Sequence, residues 1–359
     1  MPKTKVIVVD DSALVRSLLS SIINRQTDME CIGTACDPLV AREMIREKNP
    51  DVITLDVEMP HMDGLDFLGR LMRLRPMPVV MISTLTEAGA DVTMRALELG
   101  AVDFVTKPQI GQTEGINALA EQIVEKLRIA AAARVNRRAQ GAPDALAAAP
   151  AAPKGQAGRS RSAARRLIAL GASTGGTEAI RDVLLPLGAD SPGVVITQHM
   201  PPRFTSSFAQ RLDACCALRV REAQDGEVIL DGHAYIAPGG MHLRVESSGG
   251  HFIARVDDAA PVNRHRPSVD VLFESVARAA GPHCVAALLT GMGNDGAQGL
   301  RRILDAGGQT LAQDEATCVV FGMPREAVRL GAVQQVLPLA RIGPAITEAL
   351  ANKTATAAG

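Results

Sequence analysis

The sequence predicts an α/β protein of two domains, each a mostly parallel sheet with helices packed on it. Three observations carry this expectation. Short apolar runs recur and end on polar or acidic residues, with helix-periodic segments between them, the alternation that builds parallel sheets. A second series of such runs starts at residue 167, after a stretch at 129–166 rich in Ala, Pro, Gly and Arg. The chain, at 359 residues, is also longer than a single ordinary core. The expected layout is a (βα)5 doubly wound unit over residues 1–128 and a flexible linker over 129–166. Residues 167–353 then form an α/β unit whose mostly parallel sheet carries an added β-hairpin.

In the first unit, apolar runs at 6–9, 52–55, 79–82 and 102–105 read as buried strands. Residues 12–24, 38–48, 64–74 and 88–99 read as the helices between them, and Ser12 is placed to cap the first. Strands of a parallel sheet point one way, so their carboxyl ends share an edge, where ligands bind in such folds. That edge collects Asp10, Asp11, Asp56, Ser83, Thr84, Thr106 and Lys107. Three carboxylates together repel unless a cation offsets them, and a few hard oxygen ligands suit Mg2+ with retained waters. A carboxylate beside Mg2+ and a lysine can accept a phosphoryl group, because both cations stabilise charge on the transferring oxygens.

A strand-end aspartate taken alone more often caps the next helix. Here D-D at 10–11, L-D-V-E-M-P-x-M-D-G at 55–64, S-T at 83–84 and F-V-T-K-P at 104–108 fall in order, and residues 3–128 resemble a response-regulator receiver domain. The resemblance implies Asp56 as phosphoryl acceptor, with Asp10, Asp11, Asp56 and the Glu58 backbone carbonyl around Mg2+. It implies Ser83 and Lys107 as phosphoryl contacts and Phe104 as the aromatic that switches with Ser83.

In the second unit, four apolar residues at 167–170 run into G-A-S-T-G-G at 171–176, and a helix is expected over 177–185. Strand, tight turn and helix with Ser173 at the apex fit the G-x-S-x-G nucleophile elbow. A phosphate-binding P-loop would need a Lys followed by Ser or Thr, which is absent after Gly176. The strand at 193–197 ends at Gln198 and His199, and the strand at 284–289 enters T-G-M-G-N-D-G at 290–296, ahead of a helix at 297–305. Hydroxyl, imidazole and carboxylate at three strand ends on one edge make Ser173, His199 and Asp295 a candidate triad. His265 is the rival base and Asp314 the rival acid. The order Ser, His, Asp argues against an ordinary α/β-hydrolase, which runs Ser, Asp or Glu, His. The Thr174 backbone N–H is a candidate oxyanion donor by geometry. Runs at 243–246 and 251–256, separated by 247–250, read as a β-hairpin appended to the sheet.

These motifs, with Q-H-M-P at 198–201, A-P-G-G-M-H at 237–242, N-R-H-R-P-S-V-D at 263–270 and V-F-G-M-P at 320–324, closely resemble the protein-glutamate methylesterase (CheB) family of chemotaxis response regulators. The resemblance implies a Ser173–His199–Asp295 triad and a second oxyanion donor at the Met292 N–H. It also implies an ester hydrolase acting on γ-glutamyl methyl esters of methyl-accepting chemotaxis receptors, with glutamine deamidation as a second activity. The chemotaxis histidine kinase CheA is the implied phosphodonor. An unphosphorylated receiver is expected to occlude the Ser173 edge, and phosphorylation of Asp56 to relieve it.

Composition narrows the alternatives. Lys plus Arg number 38 against 39 Asp plus Glu, and the aromatics are seven Phe and one Tyr. Without a basic face or stacking platform, a nucleic-acid-binding output is disfavoured. A non-catalytic signalling adaptor is the competing reading. No secretory signal or membrane-length apolar run is read, so a cytoplasmic protein, monomeric and without membrane insertion, is expected. The six cysteines show no C-x-x-C pair and read as reduced thiols.

Overall fold

Five parallel strands, β1 (Thr4–Val9), β2 (Met29–Ala35), β3 (Val52–Asp56), β4 (Val79–Ser83) and β5 (Asp103–Thr106), build the first sheet in the order β2-β1-β3-β4-β5. The computed structural model describes residues 2–57, 59, 64–84, 86–107, 113–133 and 163–356, and the chain divides into two compact units, residues 1–142 and 143–359. Helices α1 (Ala13–Asn24), α2 (Pro38–Lys48), α3 (Gly64–Leu74), α4 (Glu87–Glu98) and α5 (Thr113–Ala132) alternate with the strands. Val6 to Val9 are fully buried, as expected of a strand covered on both faces. Ser12 caps α1 by accepting from the Val15 N–H, and Asp37 caps α2 by accepting from Leu39 and Val40. Strand order reverses between β1 and β3, so the crevice between their carboxyl ends falls at Asp10 and Asp56.

Strand β2 has no counterpart among the expected apolar runs. Its sequence, M-E-C-I-G-T-A, is an edge strand buried only at its ends, so it lacks the continuous apolar signal of the inner strands. Both ends of the stretch assigned to a linker belong to packed structure. Helix α5 runs to Ala132 with Ile129 and Ala130 buried. Ala164 is buried and its N–H donates to the Ile229 carbonyl. Residues 134–162 lie outside the described residues.

The second unit holds β6 (Leu167–Ala172), β7 (Gly193–Gln198), β8 (Arg219–Glu222), β9 (His233–Ile236), β12 (Cys284–Leu288), β13 (Gln309–Gln313) and β14 (Gln335–Leu337). They form a seven-stranded parallel sheet ordered β14-β13-β12-β6-β7-β9-β8. Its helices are α6 (Gly176–Leu184), α7 (Phe204–Cys215), α8 (Val269–Ala280), α9 (Ala297–Asp305), α10 (Met323–Arg329) and α11 (Leu339–Thr356). The three strands that lead to Asp295, Ser173 and His199 are neighbours, β12-β6-β7. Leu288 pairs with Gly171, and Ala172 with Gln198, so all three strands end level.

The hairpin is formed by β10 (His242–Ser248) and β11 (His251–Asp257). It is a separate two-stranded sheet rather than an extension of the large one, which corrects the sequence expectation. Alternation along the two strands sends Leu243, Val245, Phe252 and Ala254 into the same core as Leu272, Phe273 and Val276 of α8. The Val245 N–H donates to Ser275 Oγ at 2.9 Å. The outer edge of β11 is met instead by the segment before β9, with the Ile229 N–H donating to the Phe252 carbonyl and the Ala254 N–H to the Glu227 carbonyl.

Helix α8 seats on β6 through a glycine. A Cβ at Gly171 would lie 2.2 Å from Val269 Cγ1 and 3.1 Å from Phe273 Cζ, so the strand cannot carry a larger residue without moving α8. Gly171→Ala should destabilise the protein by roughly 1–3 kcal/mol through overpacking. Urea unfolding should show a lowered midpoint at unchanged slope, and an unchanged midpoint would show that α8 does not bear on β6.

Candidate active site

Beyond β6 the chain turns sharply into α6 with Ser173 at the bend, half-buried. Its N–H donates to the Thr290 carbonyl at 3.0 Å. Its carbonyl accepts from the Gly176 N–H at 2.7 Å and from Gln198 Nε2 at 2.9 Å. The backbone is thus held on three sides, and the hydroxyl makes no hydrogen bond among the described residues. The loop after β12 presses on this turn: a Cβ at Gly291 would stand 2.7 Å from Ser173 Cβ, an approach that only glycine permits. That loop is itself fastened by the V-F-G-M-P segment, since the Gly291 carbonyl accepts from the Gly322 and Met323 N–H groups. Thr290 Oγ1 donates to the Thr174 carbonyl at 3.0 Å, and Met292, 41% exposed, has no backbone partner for its N–H among the described residues.

His199 arrives at the end of β7, its N–H donating to the Ala172 carbonyl at 3.1 Å, one residue from Ser173. Its Nε2 lies 2.7 Å from Asp295 Oδ2. The nitrogen facing a carboxylate carries the proton, which leaves Nδ1 with its lone pair. Nδ1 is buried and has no hydrogen-bond partner among the described residues. It is the free acceptor that a serine hydroxyl requires. The ring stacks on His265, centroids 3.7 Å apart and planes 15° from parallel.

Asp295, 1% exposed, is surrounded by donors at the amino end of α8. Oδ2 accepts from His199 and from the Val269 N–H at 2.6 Å. Oδ1 accepts from Ser268 Oγ at 2.8 Å, Asn263 Nδ2 at 2.7 Å and the Asp270 N–H at 3.2 Å. Burial alone would push this carboxyl up, but the bonds from His199, Asn263 and Ser268, with the His199 charge, hold it well below the usual carboxylate range. Its neighbour Asp270 goes the other way. Burial, reinforced by the negative charge of Asp295, pushes it up to about 6 despite donors from Gly299 and Asn263.

Of the rivals named from sequence, His265 lies against the His199 ring, and Asp314 is spent on the Thr317 N–H and hydroxyl. Asn263, Ser268 and Asp270 are part of the N-R-H-R-P-S-V-D motif at 263–270, and Gln198 opens Q-H-M-P, but the sequence assigns none of them a role.

In the first unit, carboxylate oxygens of Asp10, Asp11 and Asp56 all lie within 4.8 Å of one another. Lys107 Nζ is 2.6 Å from Asp56 Oδ2 and 3.6 Å from Asp10 Oδ2. Asp10 Oδ1 accepts from the Ser12 N–H, whereas Oδ2 is buried without a hydrogen bond. Burial, opposed by the Ser12 bond and Lys107, raises Asp10 above the usual carboxylate range. Burial would lower Lys107, but its bond to Asp56 and the surrounding negative charge hold it above its ordinary value. The Ser83 hydroxyl is buried against α4, donating to the Gly89 carbonyl and accepting from Thr93 Oγ1 at 2.7 Å. Phe104 is buried with Lys126 Nζ 5.5 Å from its ring centroid. Glu58 lies outside the described residues.

Residues 168–346 match the family model for CheB methylesterase, and residues 6–120 match that for the response regulator receiver domain. A protein-glutamate methylesterase/protein-glutamine glutaminase from Albidiferax ferrireducens is 61% identical over 99% of this chain and 96% of its own length. The chain belongs to the CheB methylesterase family. The Salmonella typhimurium protein of the same name is 57% identical over 95% of each chain. The crystal structure of the CheB methylesterase catalytic domain of Thermotoga maritima, 39% identical, aligns with 51% of this chain and 97% of its own at a TM-score of 0.50. Among the described residues, no helix is long and apolar enough to cross a membrane.

The Asp295 geometry makes a stability prediction. Asp295→Ala strips the first turn of α8 of its acceptor and should cost about 2 kcal/mol at pH 7, read by urea unfolding. A depressed native pKa means that the contribution is complete above the unfolded value of ~3.9 and is lost as pH falls through the lower native value. The difference between the two proteins should therefore narrow only in strong acid, and equal midpoints at pH 7 would contradict it.

Proposed function

We propose that this CheB-family chain is a phosphorylation-activated protein-glutamate methylesterase and protein-glutamine deamidase acting on methyl-accepting chemotaxis receptors. The observation that carries the reading is His199 held at Nε2 by a buried, ionised Asp295, its Nδ1 without a hydrogen-bond partner among the described residues, on a residue whose N–H is bonded to the carbonyl just before Ser173. Nδ1 takes the Ser173 proton as Oγ attacks the γ-carbonyl of a glutamyl methyl ester. The tetrahedral oxyanion is stabilised by the Thr174 and Met292 N–H groups. The imidazolium, paired with Asp295, returns the proton to the leaving methoxide, and methanol departs. Water then attacks the acyl-Ser173 ester with His199 again as base, giving the free carboxylate. A glutamine side chain follows the same course with ammonia as the leaving group.

For the receiver, the orphaned Asp10 Oδ2 and the clustered oxygens of Asp11 and Asp56 fit a hard divalent cation, and these residues, with the Glu58 carbonyl, would hold Mg2+. When bound, that ion supplies charge neutralisation for the phosphoryl oxygens. Asp56 accepts the phosphoryl group from the chemotaxis histidine kinase CheA, and Lys107, already on Asp56, pairs with the incoming charge of about −1.5 to −2. Ser83 leaves the Gly89 carbonyl to join it, with Phe104 following, and this shift in population relieves restraint of the esterase half.

The test is methanol release from methylated receptor membranes, with and without a small phosphodonor and Mg2+. Ser173→Ala should lose at least about 10³-fold in rate, and Asp56→Asn should keep basal activity but lose the stimulation. Release by Ser173→Ala equal to that of the native protein would remove the catalytic reading.

A further inference from the structure

Asn263 sits in the turn ahead of α8 with φ of 51°, a left-handed conformation that asparagine tolerates better than most side chains. Its amide nitrogen donates to Asp295 Oδ1 and to Asp270 Oδ2, both at 2.7 Å. An amide NH2 carries two hydrogens, so both bonds form together. Asp270 is 6% exposed and Asp295 1%. Two buried carboxylates within reach of one nitrogen repel, and loss of their shared donor shifts the pair toward holding a proton.

The other contacts show what Asn263 adds. The second oxygen of Asp270 accepts the Gly299 N–H from α9 at 2.7 Å, which fixes Asp270 between α8 and α9. On Asp295, Asn263 and Ser268 hold Oδ1, which turns Oδ2 toward His199. Removing Asn263 would take from Oδ1 one of its two side-chain donors, leaving Ser268 Oγ and the long bond from the Asp270 N–H to hold that oxygen.

We infer that Asn263 is a positioning residue of the esterase: by bridging Asp270 and Asp295 it keeps both carboxylates together and aims Asp295 Oδ2 at His199 Nε2. This rests on the Ser173–His199–Asp295 reading above. The titratable and charged groups around the bridge are His199 at the β7 end, His265 stacked on it, and His242 of β10, whose Nδ1 accepts the Ser268 N–H. Glu274 on α8 is paired with Arg302 of α9.

The experiment measures kcat, KM and the pH profile of methanol release for the full chain, using methylated receptor membranes and a saturating small phosphodonor. The variants are Asn263→Ala, Asp270→Asn and the double substitution, with Ser173→Ala as reference. Asn263→Ala should lower kcat roughly 10–100-fold, the scale of a small misplacement of a reacting group, with KM within about twofold. The acidic limb of its profile should move to higher pH, because the unbridged carboxylates share a proton there. With Asp270 neutralised, Asn263 loses one of its two tasks, so the added effect of Asn263→Ala should be smaller and the limb should not move. Should Asn263→Ala fail to fold, Asn263→Ser, whose single donor can serve only one carboxylate, is expected to show the same reduced kcat and shifted limb. A native kcat and acidic limb in the folded variant, or an equal loss in the Asp270→Asn background, would overturn the inference. If Ser173→Ala is inert and Asn263→Ala is native-like, only this inference fails. If Ser173→Ala is active, the triad reading itself fails.

Discussion

The carboxylate of Asp295 accepts hydrogen bonds from an imidazole, a hydroxyl, an amide side chain and two backbone N–H groups, and much of the second unit is arranged to make that possible. Burying an ionised carboxylate costs several kcal/mol after relaxation. Hydrogen bonds to a charged group return about 1.5–3 kcal/mol each, and the amino end of α8 adds up to ~2 kcal/mol where partly buried. Five donors therefore outweigh the burial, in agreement with the direction in which the Asp295 pKa moves. The left-handed Asn263 and Arg264 belong to the turn that opens residues 263–270, the segment that supplies four of those five donors.

The same requirement is met differently in the two units. At the first sheet's edge, three carboxylates face one ammonium, so the local charge remains negative and Asp10 keeps an oxygen without a donor. At the second sheet's edge a single carboxylate meets five hydrogen-bond donors and a helix end. One edge is thus built to attract cations and phosphoryl groups, the other to stabilise a charge that comes and goes during acyl transfer. Both depend on parallel strands that end level, which is a property of the register rather than of any loop.

Much of this is legible in the sequence because strand ends are legible. The runs before Asp10, Asp56, Ser173, His199 and the 290–296 loop are continuous and apolar, and each stops at a residue with chemistry. Strand β2 escapes because an edge strand needs no apolar run, and the hairpin is misplaced because alternation shows that a face is covered without showing what covers it. Asn263 and Asp270 escape for another reason. Their roles arise from a turn that folds back across the sheet edge, and nothing in the spacing of residues 263–270 reveals that 295 is the partner. The orientation of the Ser83 hydroxyl is likewise decided by Thr93 and Gly89 on α4, contacts that no motif around Ser83 announces.

The state of the His199 ring tests most directly whether Asp295 organises the site. Nitrogen-15 NMR of the histidine-labelled full chain at neutral pH, assigned by comparison with His199→Gln, reports which ring nitrogen carries the proton. The account predicts an Nε2 proton far downfield in its bond to Asp295, with Nδ1 the nitrogen that lacks a proton in the neutral form of the ring. A ring protonated at Nδ1 with a bare Nε2 would contradict it.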